Sequence, residues 1–210
     1  MTRGSPERRT LAIGVVAAAA TAAAITVEVG RIWRRGSAPL PGEADDLLQA
    51  AEEAVTETVE AAVVGYQDVS RRENAMFNLL VSFVTTFMLA RGITYLLRRR
   101  RSVGPFRNLK VGHRHIHHYV PGIVVAFASG AAAIVTRNER IEPALALAFG
   151  SGMGLTLDES ALLLELEDVY WTREGLLSVQ IALAVSALLA ALALGLRFLR
   201  RGERLVLPAQ

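Results

Sequence analysis

The stretch Gly175–Leu199, GLLSVQIALAVSALLAALALGLRFL, decides the fold class. No ionisable side chain interrupts it before Arg197. As a helix, about 20 apolar residues cross the ~30 Å hydrocarbon core of a bilayer, so this stretch is predicted to span a membrane. Three more of the same kind lie upstream, at Leu11–Val29, Met76–Leu97 and Tyr119–Thr136. A further one, Pro143–Leu166, starts apolar and then acquires acids. The first stretch follows Arg3, Arg8 and Arg9, as a signal peptide does. Its apolar run is longer than a signal's, however, and leads into Arg31, Arg34 and Arg35, so it reads as a retained helix.

The expectation is an all-α, polytopic transmembrane helical bundle of about five spans, a multi-pass protein of the cell membrane. It divides into an N-terminal span (1–35), an acidic extramembrane helix (36–73) and a four-span region (74–205). Composition agrees: 52% of the 210 residues are hydrophobic, and the mean hydropathy is +0.34. There is no cysteine, which excludes disulfides and thiolate metal sites. No nucleotide-binding loop or nucleic-acid module is visible. The expected partner is the lipid bilayer, with no nucleic acid.

The net charge of +3 conceals a split. Residues 43–68 contain acids and no Lys or Arg, whereas arginines gather at the ends of apolar stretches. Within the acidic segment Leu48, Ala51, Val55, Thr58 and Ala62 recur at helical spacing, with Glu52, Glu53, Glu57 and Glu60 around them. An amphipathic helix outside the hydrocarbon is predicted, lying as a lid on the chain or, less favoured, forming an oligomer contact through residues 43–66. The loop after the second span holds Arg98, Arg99, Arg100, Arg101, Arg107, Lys110 and Arg114. The positive-inside rule puts this loop in the cytoplasm, where Arg98–Arg101 would attract anionic lipid headgroups. The arginines at 197, 200, 201 and 204 then fall outside, against the same rule.

All four histidines, His113, His115, His117 and His118, fall in GHRHIHHYVPG. Pro121 suits the first turn of a helix, which places them just before the third span. The acids lie in GLTLDESALLLELEDVYW, where Asp158, Glu165 and Asp168 share one helical face. A short turn near 137–142 makes the third and fourth spans antiparallel, and so brings histidines and acids to one end of the hairpin. Gly150 and Gly154 are expected to let that hairpin close tightly. Asn74, Asn78, Ser82 and Thr85 form a polar stripe on the second span, predicted to face inward.

Imidazole and carboxylate together form the ligand set of zinc or non-haem iron. His113, His115, His117, His118, Asp158 and Glu165 are the candidate ligands for such a divalent metal, with Asp158 and Glu159 as candidate catalytic carboxylates. A metal-bound water becomes a nucleophile near neutral pH, which points to a metal-dependent enzyme acting on lipid headgroups. The alternative is a scaffold or interaction protein in which the His, acid and Arg residues form a structural network.

HRHIHHYVPG followed by GMGLTLDESALLLELEDVYW resembles an uncharacterised family of actinobacterial integral membrane proteins. The resemblance covers the hairpin and the start of the last span. It implies a helical membrane fold and no mechanism. The preference for arginine over lysine, with abundant alanine, fits a bacterial, GC-rich genome. His113, His117 and Asp158 are also partly similar to the zinc ligands of alkaline-ceramidase-type lipid hydrolases, although those have seven spans and spread their histidines over several helices.

Overall fold

A computed structural model describes residues 6–99, 110–111, 114–115, 119–136, 138–158 and 173–207. Among these, six helices run in the order α1 (Pro6–Trp33), α2 (Leu47–Gln67), α3 (Arg71–Arg99), α4 (Tyr119–Val135), α5 (Glu142–Asp158) and α6 (Arg173–Val206). A two-residue antiparallel ladder precedes α4, with β1 (Lys110–Val111) opposite β2 (Arg114–His115). Three helices are long and apolar enough to cross a membrane, over Ala12–Trp33, Arg71–Ile93 and Val179–Val206. They match the first, second and last predicted spans. The apolar helix Tyr119–Val135 is shorter, and of Pro143–Leu166 the described part is α5.

Local chemistry sets the helix boundaries. Pro39 and Pro41 keep the α1–α2 linker out of helix, and Asp46 caps α2 by accepting from the amides of Leu48 (2.9 Å) and Gln49 (3.4 Å). Ser70 and Glu73 open α3 with reciprocal bonds: the Ser70 hydroxyl accepts from the Glu73 amide, and the Glu73 carboxylate from the Ser70 amide. Pro121 stands in the first turn of α4, as the sequence predicts.

The helices pack in two groups joined at α3 and α6. In the first, α5 runs parallel to α3 and antiparallel to α4: Ser82 lies at Gly150 and Phe83 at Gly154, while Gly122 and Ala126 lie at Gly152. The predicted role of the Gly150/Gly154 pair is therefore corrected. These two glycines face α3, and Gly152, on the opposite side of α5, closes the hairpin onto Gly122. The turn of 3.6 residues per helical repeat separates the two sets. In the second group, α6 runs parallel to α1, with Gly14 beside Ile181 at one end and Glu28 bonded to Arg200 at the other. It runs antiparallel to α3, and Phe77 and Phe198 meet with centroids 5.3 Å apart, flanked by Tyr66.

At its outer end α6 also carries α2. Ala61 and Gly65 cross Phe198 and Gly202 so closely that a Cβ on Gly65 would strike the Phe198 carbonyl and one on Gly202 the Ala61 carbonyl. The buried face of α2 is Ala50, Ala54, Ala61 and Gly65. This corrects part of the predicted stripe: Leu48 is 83% exposed and Val55 also faces out, while Ala51, Thr58 and Ala62 are half-buried and Ala62 packs against the Ile32–Ala61–Leu199 cluster. Only small side chains allow backbones this near, so the inner face is the alanine–glycine one. On α3, Asn74, Asn78 and Ser82 are buried as predicted, but Thr85 is exposed. The inward line continues instead through Phe83 and Phe87, one residue round the helix.

Large apolar side chains point outward along the candidate spans and the shorter apolar helix α4, including Val15 (68%), Phe127 (77%) and Ile134 (86%). Soluble proteins rarely expose contiguous apolar surface on this scale, which suits a lipid solvent. Replacing Gly202 by Leu should cost at least the ~1–3 kcal/mol of an overpacked contact, and should lower the thermal midpoint of the detergent-solubilised protein. Gly42→Ala, at a position with nothing within 4 Å of its would-be Cβ, should leave that midpoint unchanged.

Candidate functional site

The candidate site lies at the end of the bundle where α3 and α5 finish and α4 begins. The described part of it is a clamp of Arg91 (α3), Asp158 (α5) and Gln180 (α6). Arg91 Nε stands 2.6 Å from Asp158 Oδ1, and the Asp158 side chain is 2% exposed. Arg91 Nη2 donates to Gln180 Oε1 (2.6 Å) and to the Asp158 carbonyl (3.3 Å). Gln180 Nε2 donates to the carbonyls of Leu157 (2.6 Å) and Asp158 (3.2 Å). The last described carbonyls of α5 are thus bonded from two other helices, as late helical carbonyls need. The Arg91 guanidinium also lies 5.4 Å from the Phe87 ring centroid, a cation–π contact.

Of the sequence-predicted site, Asp158 is the residue whose side chain is described. His115 is described as backbone, in β2. His113, His117, His118, Glu159 and Glu165 lie outside the described residues, as do Arg100, Arg101 and Asp168. Among the described residues no group of three His, Cys, Asp or Glu is placed to hold a metal. The antiparallel register of α4 and α5 is described, however. Gly122 lies beside Gly152, Leu155 and Thr156, so α4 starts at the level where α5 reaches Asp158. The Arg91–Asp158 ion pair joins the end of α5 to α3.

A second polar cluster lies at the opposite end, between α1 and α6. Glu28 Oε2 bonds Arg31 Nε (2.7 Å), and Glu28 Oε1 accepts from Arg200 Nε (3.1 Å) and Nη2. Glu203 Oε1 accepts from Arg35 Nη1 (2.6 Å), and Glu203 Oε2 pairs with Arg31 Nη2. Both carboxylates are buried, at 4% and 2% exposure. Around them Arg201 pairs with Asp68, Arg197 with Glu73 (2.8 Å) and Arg71 with Glu139 (2.6 Å). Glu57, on α2, turns back to accept from the Ser37 amide (2.8 Å) and hydroxyl, which pins the α1–α2 linker.

Sequence reasoning missed Arg91, Gln180, Glu28 and Glu203. Three of them were signalled: Arg91, Glu28 and Gln180 are polar interruptions inside apolar stretches, where a charge normally has a partner. Glu203 sits in a run of arginines and carries no such mark. In comparisons with family models, curated proteins and solved structures, nothing matches this chain.

Removing Arg91 takes its described cation from a buried carboxylate, and breaking a buried pair typically costs about 3–5 kcal/mol. Arg91 is itself 41% exposed, so Arg91→Ala should fall at the low end of that range. Arg91→Ala and Asp158→Ala should be strongly non-additive in a double-mutant cycle read by thermal or denaturant unfolding.

Proposed function

We propose that the chain is a five-span integral membrane protein that acts as a non-enzymatic scaffold or interaction subunit, its buried charges clamping the helices. The observation that carries this reading is the Arg91–Asp158–Gln180 clamp, which ties three helices together through the very carboxylate that a metal centre would use. The packing supports an odd number of crossings, and five is the count we take. α1 and α6 run parallel, which requires an odd number of crossings, and α5 lies beside the span-length part of α3 from Asn78–Pro143 to Arg91–Asp158. The outer end of α6 carries arginines that argue against a cytoplasmic basic loop, but Arg197, Arg200 and Arg201 are each paired with a carboxylate. Their weight as topology signals falls accordingly, and the loop after α3 sets the orientation. An oligomer contact through residues 43–66 would use Leu48, Val55, Val59 and Val63, exposed on α2.

One observation favours a second reading. α4 begins level with Asp158, and the histidine segment immediately precedes α4 in the sequence. In that reading His113, His115, His117 and His118 bind zinc or iron with Glu165, while Asp158 or Glu159 serves the reaction, at headgroups drawn by Arg98–Arg101. Elemental analysis separates the two. The clamp reading expects no stoichiometric zinc or iron in the purified protein, and a lower melting temperature for Asp158→Ala. Stoichiometric metal that His117→Ala removes without loss of folding would transfer the conclusion to a metal centre.

A further inference from the structure

At the end of the molecule opposite the clamp, the outer surface of α6 bears a row of arginines above an apolar track. Arg197, Arg200 and Arg204 follow Ala193 at spacings of three and four residues, so all four share one face of the helix. Together with Leu196 they line an open groove of about 370 Å³, within the ~300–1,000 Å³ of ordinary ligand pockets. Below them Ser186, Leu189, Ala190 and Ala193 are exposed on the same side of the candidate span. The order from the bilayer outward is therefore small and apolar residues first, then guanidinium groups.

The arginines are not fully used by the fold. Arg197 gives one nitrogen to Glu73 and its side chain is 63% exposed; Arg200 gives two donors to Glu28 and is 56% exposed. Arg204 is exposed and has no ion-pair partner among the described residues. Glu28 and Glu73 hold the first two side chains in place and leave outward N–H groups. Guanidinium forks match phosphate oxygens, and a row of them at the hydrocarbon boundary meets phosphodiesters at their own depth.

We propose that this groove binds the phosphate of an anionic phospholipid, with one acyl chain lying along Ala193, Ala190 and Leu189. The site is distinct from Arg98 and Arg99, which lie at the other end of α3. Favourable attraction near a membrane surface is worth about fivefold in affinity per basic residue.

The test uses the purified full chain in detergent, with retained lipid read by native mass spectrometry. Phosphatidylglycerol should be retained in preference to phosphatidylcholine. Arg204→Gln should weaken that retention about fivefold with no change in melting temperature, because Arg204 holds no structural pair. Ala193→Trp, which blocks the track, should also weaken it. Inorganic phosphate at millimolar concentration should fail to displace the lipid. Equal retention of the two lipids would overturn the proposal. So would retention unchanged by Arg204→Gln, with the lipid lost instead when Arg98–Arg101 are neutralised. Displacement by free phosphate would also overturn it, since it would show a small-anion site with no use for the acyl track.

Discussion

A carboxylate removed from water must find a cation, and each buried carboxylate described in this protein finds one on a different helix. Glu28 of α1 meets Arg200 of α6, Glu203 of α6 meets Arg31 of α1 and Arg35 just past the end of α1, and Asp158 of α5 meets Arg91 of α3. α6 takes part every time, directly at the outer end and through Gln180 at the inner one. Such pairs add little over apolar packing when intact, but a broken one leaves a charge with no solvent. They therefore act chiefly on specificity, by fixing which helices are neighbours and at what depth. Lipid supplies no hydrophobic drive to bring apolar helices together, so registration by charge carries more of the work.

The second constraint is size. Between the charged ends the helices approach through glycine and alanine: Gly150 and Gly154 against α3, Gly152 against Gly122 of α4, and Gly65 and Ala61 against Gly202 and Phe198. Close backbone approach increases dispersion contact where apolar burial gains nothing. It also lets α6 run long beside its neighbours. Its 34 residues span about 50 Å, and the outer turns are covered by α2 and neutralised by Glu28, Asp68 and Glu73. Three of its arginines, Arg197, Arg200 and Arg201, are tied by these pairs to neighbouring elements while staying largely exposed.

Apolar length was enough to find the three long spans, because a bilayer imposes one simple requirement on sequence. The antiparallel α4–α5 hairpin was legible because a short turn leaves little freedom, whereas the match of histidines to acids falls outside the described residues. Partner choice was harder to read. The stripe Leu48, Ala51, Val55, Thr58 and Ala62 looks like a packing face by hydrophobicity, yet α2 packs through Ala50, Ala54, Ala61 and Gly65 because close approach selects for small side chains. Asp158 stands out in the sequence as an acid within an apolar stretch, but its described partner Arg91 lies far off in sequence and carries no motif. Of the proposed ligands, His113, His117, His118, Glu159 and Glu165 fall outside the described residues, so the metal centre rests on the motif alone.

The most direct test of the central claim, an odd number of crossings with α1 and α6 parallel, is single-cysteine accessibility in sealed vesicles. The chain has no cysteine of its own, so each introduced thiol reports alone. With a membrane-impermeant maleimide, Gly42→Cys and Leu205→Cys should react from one side, and Ser102→Cys from the other. Reaction of Gly42→Cys and Leu205→Cys from opposite sides would contradict the parallel arrangement, and with it the charge pairs that hold α1 to α6.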